Sequence, residues 1–350
     1  MSIRFNLIGC GRIAQKYIQL FAEKKIQNAK IVGVCDIISK KAKLAGMKLG
    51  VPYFSDMNKM IKKTKPEVIC ILTPSGLHFK HFKNTIKYKK HYVIEKPIAL
   101  RLKDANEIIK LSKKNNIKIF PVFQNRFNKP IKFLKNNIEK NKLGKIFLIT
   151  ARIRWKRDQK YYNLDKWRGT FKYDGGVIAN QAIHFLDLLM WLGGDVKSVF
   201  SIAKTYSVKI ETEDTAVVIL KFRSGAIGVI EATGATRPND LEGSVSVLGN
   251  KGSIIIGGFS ANKIETLDLT QKNIEKNIAK YTQNPPNVYG FGHQVLLNKV
   301  VKSINKNQKF EISLKETQRR INVLQAIYQS IQFKKEIKIS KNNKSKLGEF

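Results

Sequence analysis

The stretch Ile3-Arg4-Phe5-Asn6-Leu7-Ile8 alternates like a half-buried strand and stops at Gly9-Cys10-Gly11-Arg12-Ile13-Ala14. Ile13, Tyr17, Leu20 and Phe21 then mark one face of a helix. A strand, a glycine turn and a helix in that order point to a parallel crossover unit, which few folds can house. Gly9 permits the tight turn, and Gly11 lets backbone approach a pyrophosphate. The small Ala14 lets helix and strand pack closely, so that the helix N-terminus, with Arg12 and Ile13, faces the phosphates.

The alternation continues for about 125 residues. A second strand, Lys30-Ile31-Val32-Gly33-Val34-Cys35, ends at Asp36. An acidic side chain there either accepts both ribose hydroxyls of adenosine, which selects NAD over NADP, or caps the helix beginning near Ser39. Strands are expected at 67–72, 91–94 and 117–120, with helices at 77–88 and 104–113, so that residues 1–125 form a doubly wound parallel sheet. Thr73-Pro74-Ser75-Gly76-Leu77-His78 falls at the same sheet edge as the glycine turn. Its amides and Ser75 either hold cofactor phosphates or the nicotinamide ribose, or cap the following helix. Glu95-Lys96-Pro97 follows the strand at 91–94, placing a carboxylate and an ammonium where ligands collect in open α/β sheets; taken alone it is a strand-end ion pair.

The pattern changes beyond 125. A helix at 128–141, a strand at 145–154 with basic outward positions and an aromatic, glycine-rich run at 161–176 lead to a helix at 177–191. Strands at 196–207, 215–222, 226–233, 243–248 and 253–256 follow in hairpin order. Residues 126–333 therefore read as an α+β domain with a large, mostly antiparallel open sheet. The signal is poor over 261–289, where Asn284-Pro285-Pro286-Asn287 interrupts any regular element. Helices at 292–304 and 314–333 finish the fold, the second expected to dock near the first domain. Residues 334–350 read as a basic, mobile tail.

The 350 residues suffice for two domains, and the formal charge of +39, from 65 Lys+Arg against 26 Asp+Glu, invites a nucleic-acid partner. The lysines are spread along the chain and no nucleic-acid recognition motif is present, so the field is expected to draw an anionic small substrate instead. No apolar run is long enough for a membrane span. Cys10, Cys35 and Cys70 lack metal-ligand spacing, so no metal site is expected and the thiols read as reduced core residues of a cytoplasmic protein.

The helix at 177–191 brings Asn180, His184 and Asp187 to one face. Hydride loss from an alcohol requires removal of its hydroxyl proton; a histidine can take it and an ammonium can stabilise the alkoxide. Lys96 and His184 are such a pair, with Glu95 positioning the ammonium or the nicotinamide ribose. His184 alone would be a packing residue.

The set Gly9-x-Gly11-x-x-Ala14, Asp36, Thr73-Pro74-Ser75-x-x-His78, Glu95-Lys96-Pro97 and Gly175-Gly176 leading to His184-x-x-Asp187 resembles the Gfo/Idh/MocA oxidoreductases. The resemblance covers residues 3–333. It implies an N-terminal Rossmann domain binding NAD, a C-terminal domain whose open sheet forms a homo-oligomer interface, and Lys96 and His184 as catalytic groups. Many members carry aspartate where this chain has Asn180, and glycine is common where it has Ala182. With Gln124-Asn125-Arg126-Phe127, Trp167-Arg168-Gly169-Thr170 and Leu241-Glu242-Gly243-Ser244, that departure is similar to the bacterial UDP-N-acetylglucosaminuronate 3-dehydrogenases of O-antigen and lipopolysaccharide synthesis.

This branch implies oxidation of a UDP-sugar at its C3 hydroxyl, the keto product passing to an aminotransferase. Gln124 is then a cofactor contact, and Lys96, Arg126, Trp167, Arg168, Asn180 and His184 are substrate contacts. Arg126 serves as an anion ligand or a helix-linking salt bridge; Trp167-Arg168 as a ligand or a stacked cation on an aromatic anchor. Two other readings compete: a dehydrogenase of a free polyol such as inositol, and a non-catalytic nucleotide sensor or nucleic-acid binder. A sensor has no need of both Lys96 and His184.

Overall fold

The computed structural model describes residues 2–269, 274–285 and 287–349; Pro286 of the Asn-Pro-Pro-Asn stretch lies outside them. The chain divides into two compact units, Met1–Val122 with His293–Gln318, and Phe123–Gly292 with Arg319–Phe350. Among the described residues no helix is long and apolar enough to cross a membrane.

The first unit is built on six strands: β1 (Ile3–Ile8), β2 (Ala29–Cys35), β3 (Tyr53–Phe54), β4 (Val68–Ile71), β5 (His91–Ile94) and β6 (Ile119–Pro121). They pair in parallel in the order β3-β2-β1-β4-β5-β6. This doubly wound order reverses direction at β1 and β4, and ligands of such sheets bind outside the carboxyl ends of the strands there. Helices on both faces explain why β4 is buried throughout. The helix Arg12–Ala22 turns Ala14, Tyr17, Ile18, Leu20 and Phe21 inward, and Phe21 meets Phe5 of β1 with ring centroids 5.3 Å apart.

The helix Gly292–Asn305 also packs here, where a linear division of the sequence would place it in the second domain. The Asn298 amide donates to Lys25 O and accepts from Gln27 N–H, Lys118 reaches Ser303 O and Asn307, and Phe310 packs edge-on against Phe120. Leu314–Phe333, expected to dock on the first unit, contributes only its first residues and belongs from Arg319 onward to the second.

The second unit carries β7 (Ile146–Arg154), β8 (Val196–Lys204), β9 (Thr215–Phe222), β10 (Ile227–Thr233), β11 (Glu242–Gly249), β12 (Gly252–Gly257), β13 (Lys263–Leu269) and β14 (Ile337–Lys338), in the order β13-β12-β11-β7-β10-β9-β8-β14. The hairpins β8-β9-β10 and β11-β12-β13 are antiparallel. β7 enters between β10 and β11 and runs parallel to β10, a pairing that hairpin order alone does not reveal. One face is covered by the apolar helix Ile183–Gly193. The other keeps Ile202, Val217, Ile219 and Ile227 exposed.

Two expectations need correction. The weak stretch after Ala261 contains β13 and the helix Ile274–Tyr281. The register of β12 against β13 shifts between Ile255 and Ile256, and charged Lys263, Glu265 and Asp268 dilute the strand's apolar alternation. The basic tail is also not loose. Ile337 pairs with Val199, Leu347 is buried, and Gln325 binds Ser345 N–H and Leu347 O, so two apolar anchors outweigh the lysine-rich composition.

Candidate active site

In the first unit the glycine turn departs from β1 at Gly9 with φ +95°, and a Cβ there would lie 2.8 Å from Leu72 O. A Cβ on Gly11 would meet nothing within 4 Å, so the space before the helix Arg12–Ala22 stays open, and no side chain caps that helix. Arg12 is exposed and Ile13 half-buried. Asp36, at the end of β2, accepts from Cys10 N–H and from Ile38 N–H, both at 2.8 Å. It therefore fixes the turn with one oxygen and its own loop with the other, and the carboxylate retains lone pairs for ribose hydroxyls. A pyrophosphate over Gly11 and a ribose at Asp36 fit this arrangement. Burial, reinforced by Asp36, pushes the thiols of Cys10 and Cys35 up to about 12, so both are inert.

Thr73 and Ser75 are half-buried in the next loop. His78 is buried and its ring nitrogens stand 2.8 Å from Thr73 O and from Pro97 O, so it ties this loop to the Glu95-Lys96-Pro97 segment. Glu95 is buried; its Oε1 accepts from Tyr17 O–H at 3.0 Å and lies 3.4 Å from His293 Nε2, while Oε2 accepts from Lys96 N–H at 3.2 Å. Burial drives this carboxyl up, but His293, Lys96 and the Tyr17 hydroxyl outweigh it and hold Glu95 below its ordinary value. Sequence reasoning read Tyr17 only as a packing residue and missed His293, which lies 198 positions from Glu95 and has no local motif around it.

In the second unit, a π-turn at Ile178–Ala182 precedes the helix Ile183–Gly193. Such wide turns recur at functional sites. Asn180 is half-buried within it and His184 is buried one turn on, with Gln124 Nε2 3.5 Å from His184 Nε2. The Oε1 atoms of Gln124 and Gln181 are buried without a hydrogen-bond partner among the described residues. Gln124, expected at the cofactor, thus falls in the unit that carries His184.

Arg126 lies under the helix. It grips Asp187 through two bonds of 2.7 and 2.6 Å, stacks 5.1 Å from Trp191, and shares Asp187 with Arg320. With side-chain exposures of 3% and 1%, this pair is a structural link. Arg126 is therefore withdrawn as an anion ligand for the sugar. Arg168 stacks between Trp167 (4.5 Å) and Tyr161 (4.6 Å), bonds the Tyr161 hydroxyl at 2.8 Å and pairs with Asp165. It also lines an open cleft of about 360 Å3 with Asp165, Lys166, Lys209 and Glu211.

Glu213 and Tyr328 were not foreseen either. Glu213 Oε1 accepts from Ile178 N–H (3.0 Å) and Tyr328 O–H (2.8 Å), and Glu213 O accepts from Val177 N–H (2.9 Å), so one residue holds the entry to the π-turn. Burial pushes its carboxyl from 4.5 up to about 7, against the pull of these donors and aided by the charge of Asp174.

Residues 3–123 match the family model described as oxidoreductase family, NAD-binding Rossmann fold, and residues 135–339 the oxidoreductase family C-terminal alpha/beta domain. The myo-inositol 2-dehydrogenase of Thermotoga maritima is 30% identical over 275 residues, 75% of this chain and 77% of that protein. Two solved structures are more similar over a longer span. The WlbA dehydrogenase of Bordetella pertussis, in complex with NADH and UDP-GlcNAcA, is 34% identical with a TM-score of 0.92, covering 97% of this chain and 98% of that one. Its counterpart from Chromobacterium violaceum, with the same two ligands, is 34% identical with a TM-score of 0.90 and 97% coverage of each. With both domain models matched and the glycine turn and Asp36 in place, the chain belongs to the Gfo/Idh/MocA oxidoreductase family, as an NAD-dependent dehydrogenase acting on a CH–OH group of a sugar or polyol.

Proposed function

We propose that the chain oxidises the C3 hydroxyl of a UDP-N-acetylglucosaminuronic-acid-type nucleotide sugar to the 3-keto sugar. The observation that carries this reading is the 34% identity, over 97% of the chain, to a dehydrogenase captured with NADH and UDP-GlcNAcA. The cleft lined by Lys166, Arg168 and Lys209, with Asp165 and Glu211 among them, offers cations to a substrate that bears a diphosphate and a carboxylate. Oxidised nicotinamide, when bound, accepts the hydride from carbon. Lys96 stabilises the alkoxide as the hydride leaves, and His184 takes the hydroxyl proton; Asn180 cannot serve as a base and orients a hydroxyl. Gly9, Gly11, Arg12, Ile13, Asp36, Thr73, Ser75, His78, Glu95 and Gln124 form the cofactor side of this reading, and Trp167, Arg168 and Asn180 the sugar side.

The product, a ketone beside an amide-bearing carbon, suits an aminotransferase in O-antigen or lipopolysaccharide synthesis. The exposed Ile202, Val217, Ile219 and Ile227 support homo-oligomer formation through the open sheet, and the three free thiols support a reducing, cytoplasmic setting. A polyol such as inositol is the second reading, favoured by the myo-inositol 2-dehydrogenase relative. Protein incubated with NAD and either substrate, with a 2-oxo acid in a parallel reaction to reoxidise retained cofactor, separates the two. Turnover of the UDP-sugar acid is expected, and turnover of inositol alone would overturn the assignment.

A further inference from the structure

Asp174 is 1% exposed and stands where the Asp174-Gly175-Gly176 turn enters the π-turn. Its Oδ2 accepts from Gly169 N–H at 2.9 Å, and its Oδ1 accepts from the side-chain amide Nδ2 of Asn180. The turn is closed tightly over the helix start. Gly175 has φ +81° and a Cβ on it would lie 2.5 Å from Ala179 Cβ, while one on Gly176 would lie 2.2 Å from Glu213 O. Gly176 N–H donates to the Tyr328 hydroxyl at 3.0 Å, and Asn180 N–H to Gly176 O at 2.9 Å. The backbone on both sides of this contact is therefore fixed.

An ionised carboxylate only accepts hydrogen bonds, whereas an amide donates from one edge and accepts at the other. Held against Asp174 by its NH2 group, Asn180 must turn Oδ1 to the opposite edge. That contact sets which edge of the amide carries the donors, the two edges being related by a half-turn about the terminal bond. We propose that Asp174 is a positioning residue that fixes the polarity of Asn180, so that Asn180 meets a substrate hydroxyl as an acceptor. This rests on the dehydrogenase reading above. It fixes the direction of one hydroxyl at the reacting sugar and leaves the reaction's proton to His184, four residues along. Among the described residues, ionisable groups around the contact include Glu213, from the loop before β9, and Tyr162, from the helix Gln159–Asn163, both coupled to Asp174, and Tyr328, from the helix Leu314–Phe333, which binds Gly176 N–H.

The test is a charge exchange within the pair, read as kcat/KM for the sugar relative to wild type at each pH. Asn180→Asp sets two carboxylates against each other; the ratio is expected to fall at least about tenfold near pH 8 and to recover toward about pH 6, where the pair shares a proton. Asp174→Asn is expected to raise the sugar KM about fivefold, with the NAD Kd unchanged. The double variant Asp174→Asn/Asn180→Asp restores a donor facing a carboxylate and an acceptor for Gly169 N–H, and should return to within about threefold of wild type at every pH. A double variant no better than Asn180→Asp, or an Asn180→Asp ratio flat with pH, would overturn the proposal. If Asp174→Asn alone fails to fold, the comparison of Asn180→Asp with the double variant still decides. Wild type inert toward the UDP-sugar would refute the substrate instead. The same exchange is then read in Tm, where Asn180→Asp must lose more stability near pH 8 than near pH 6 and the double variant must recover it.

Discussion

Glu95 and Glu213 are both buried carboxyls that accept a hydrogen bond from a tyrosine hydroxyl, yet they are driven in opposite directions. Burial acts alike on both. Glu95 has Lys96 and His293 beside it and is held as a carboxylate, whereas Glu213 has the like charge of Asp174 near it and keeps its proton up to about pH 7. The neighbours decide the charge, and each charge suits its place. The anion of Glu95 lies beside Lys96, the group proposed to stabilise the alkoxide. A neutral acid at the π-turn supplies acceptors for Ile178 N–H and the Tyr328 hydroxyl without adding charge close to Asp174.

The largest expected effects fall on Lys96 and His184, the two groups proposed to act on the alcohol. Lys96→Met and His184→Ala should each lower kcat by about a hundredfold or more while NAD still binds; steady-state kinetics beside a calorimetric titration with NAD checks this. Near-normal turnover in either variant would refute its catalytic role. Glu95→Gln should cost about tenfold in kcat, because the ammonium loses its anionic partner, and its loss should exceed that of Glu213→Gln, measured in parallel.

Glu213→Gln is the smallest and the most diagnostic. The amide oxygen still accepts from Ile178 and Tyr328, so kcat should stay within about threefold of wild type. The signs in stability differ. Glu213 is raised in the folded state, so its contribution is complete below 4.5 and is lost as pH rises toward about 7. Glu95 is lowered, so its contribution is present above 4.5 and is lost as pH falls through its folded value. Melting curves across this range should show Glu213→Gln without the wild-type decline in Tm toward neutrality, and Glu95→Gln without the acid-side loss. Identical pH dependence in both variants would break the comparison.

The same contrast separates what the sequence makes legible from what it does not. The glycine turn, Asp36, Lys96 and His184 each sit inside a local signal, a strand end or an amphipathic helix, and such signals survive without tertiary information. Glu95 was recognised for its neighbour Lys96, but its other partners come from a helix face read as packing and from a histidine 198 residues away. Glu213 lies in a loop and meets Tyr328 across 115 positions. Arg126 shows the opposite error: a cation in a family-like motif invited an anionic ligand, while its actual partner, Asp187, had been placed on the histidine helix without being paired to it. Strand β7 illustrates the fold-level limit. Its own alternation is plain, but its position between β10 and β11 depends on pairing choices that neighbouring sequence does not encode.

The most direct test of the central claim uses UDP-N-acetylglucosaminuronic acid carrying deuterium at C3, incubated with the protein and unlabelled NAD, with the reduced cofactor analysed by mass spectrometry. Oxidation at C3 predicts that the deuterium appears in the reduced nicotinamide and leaves the sugar. Reduced cofactor that carries only protium, with the label retained in the sugar, would place the chemistry at another carbon and contradict the account.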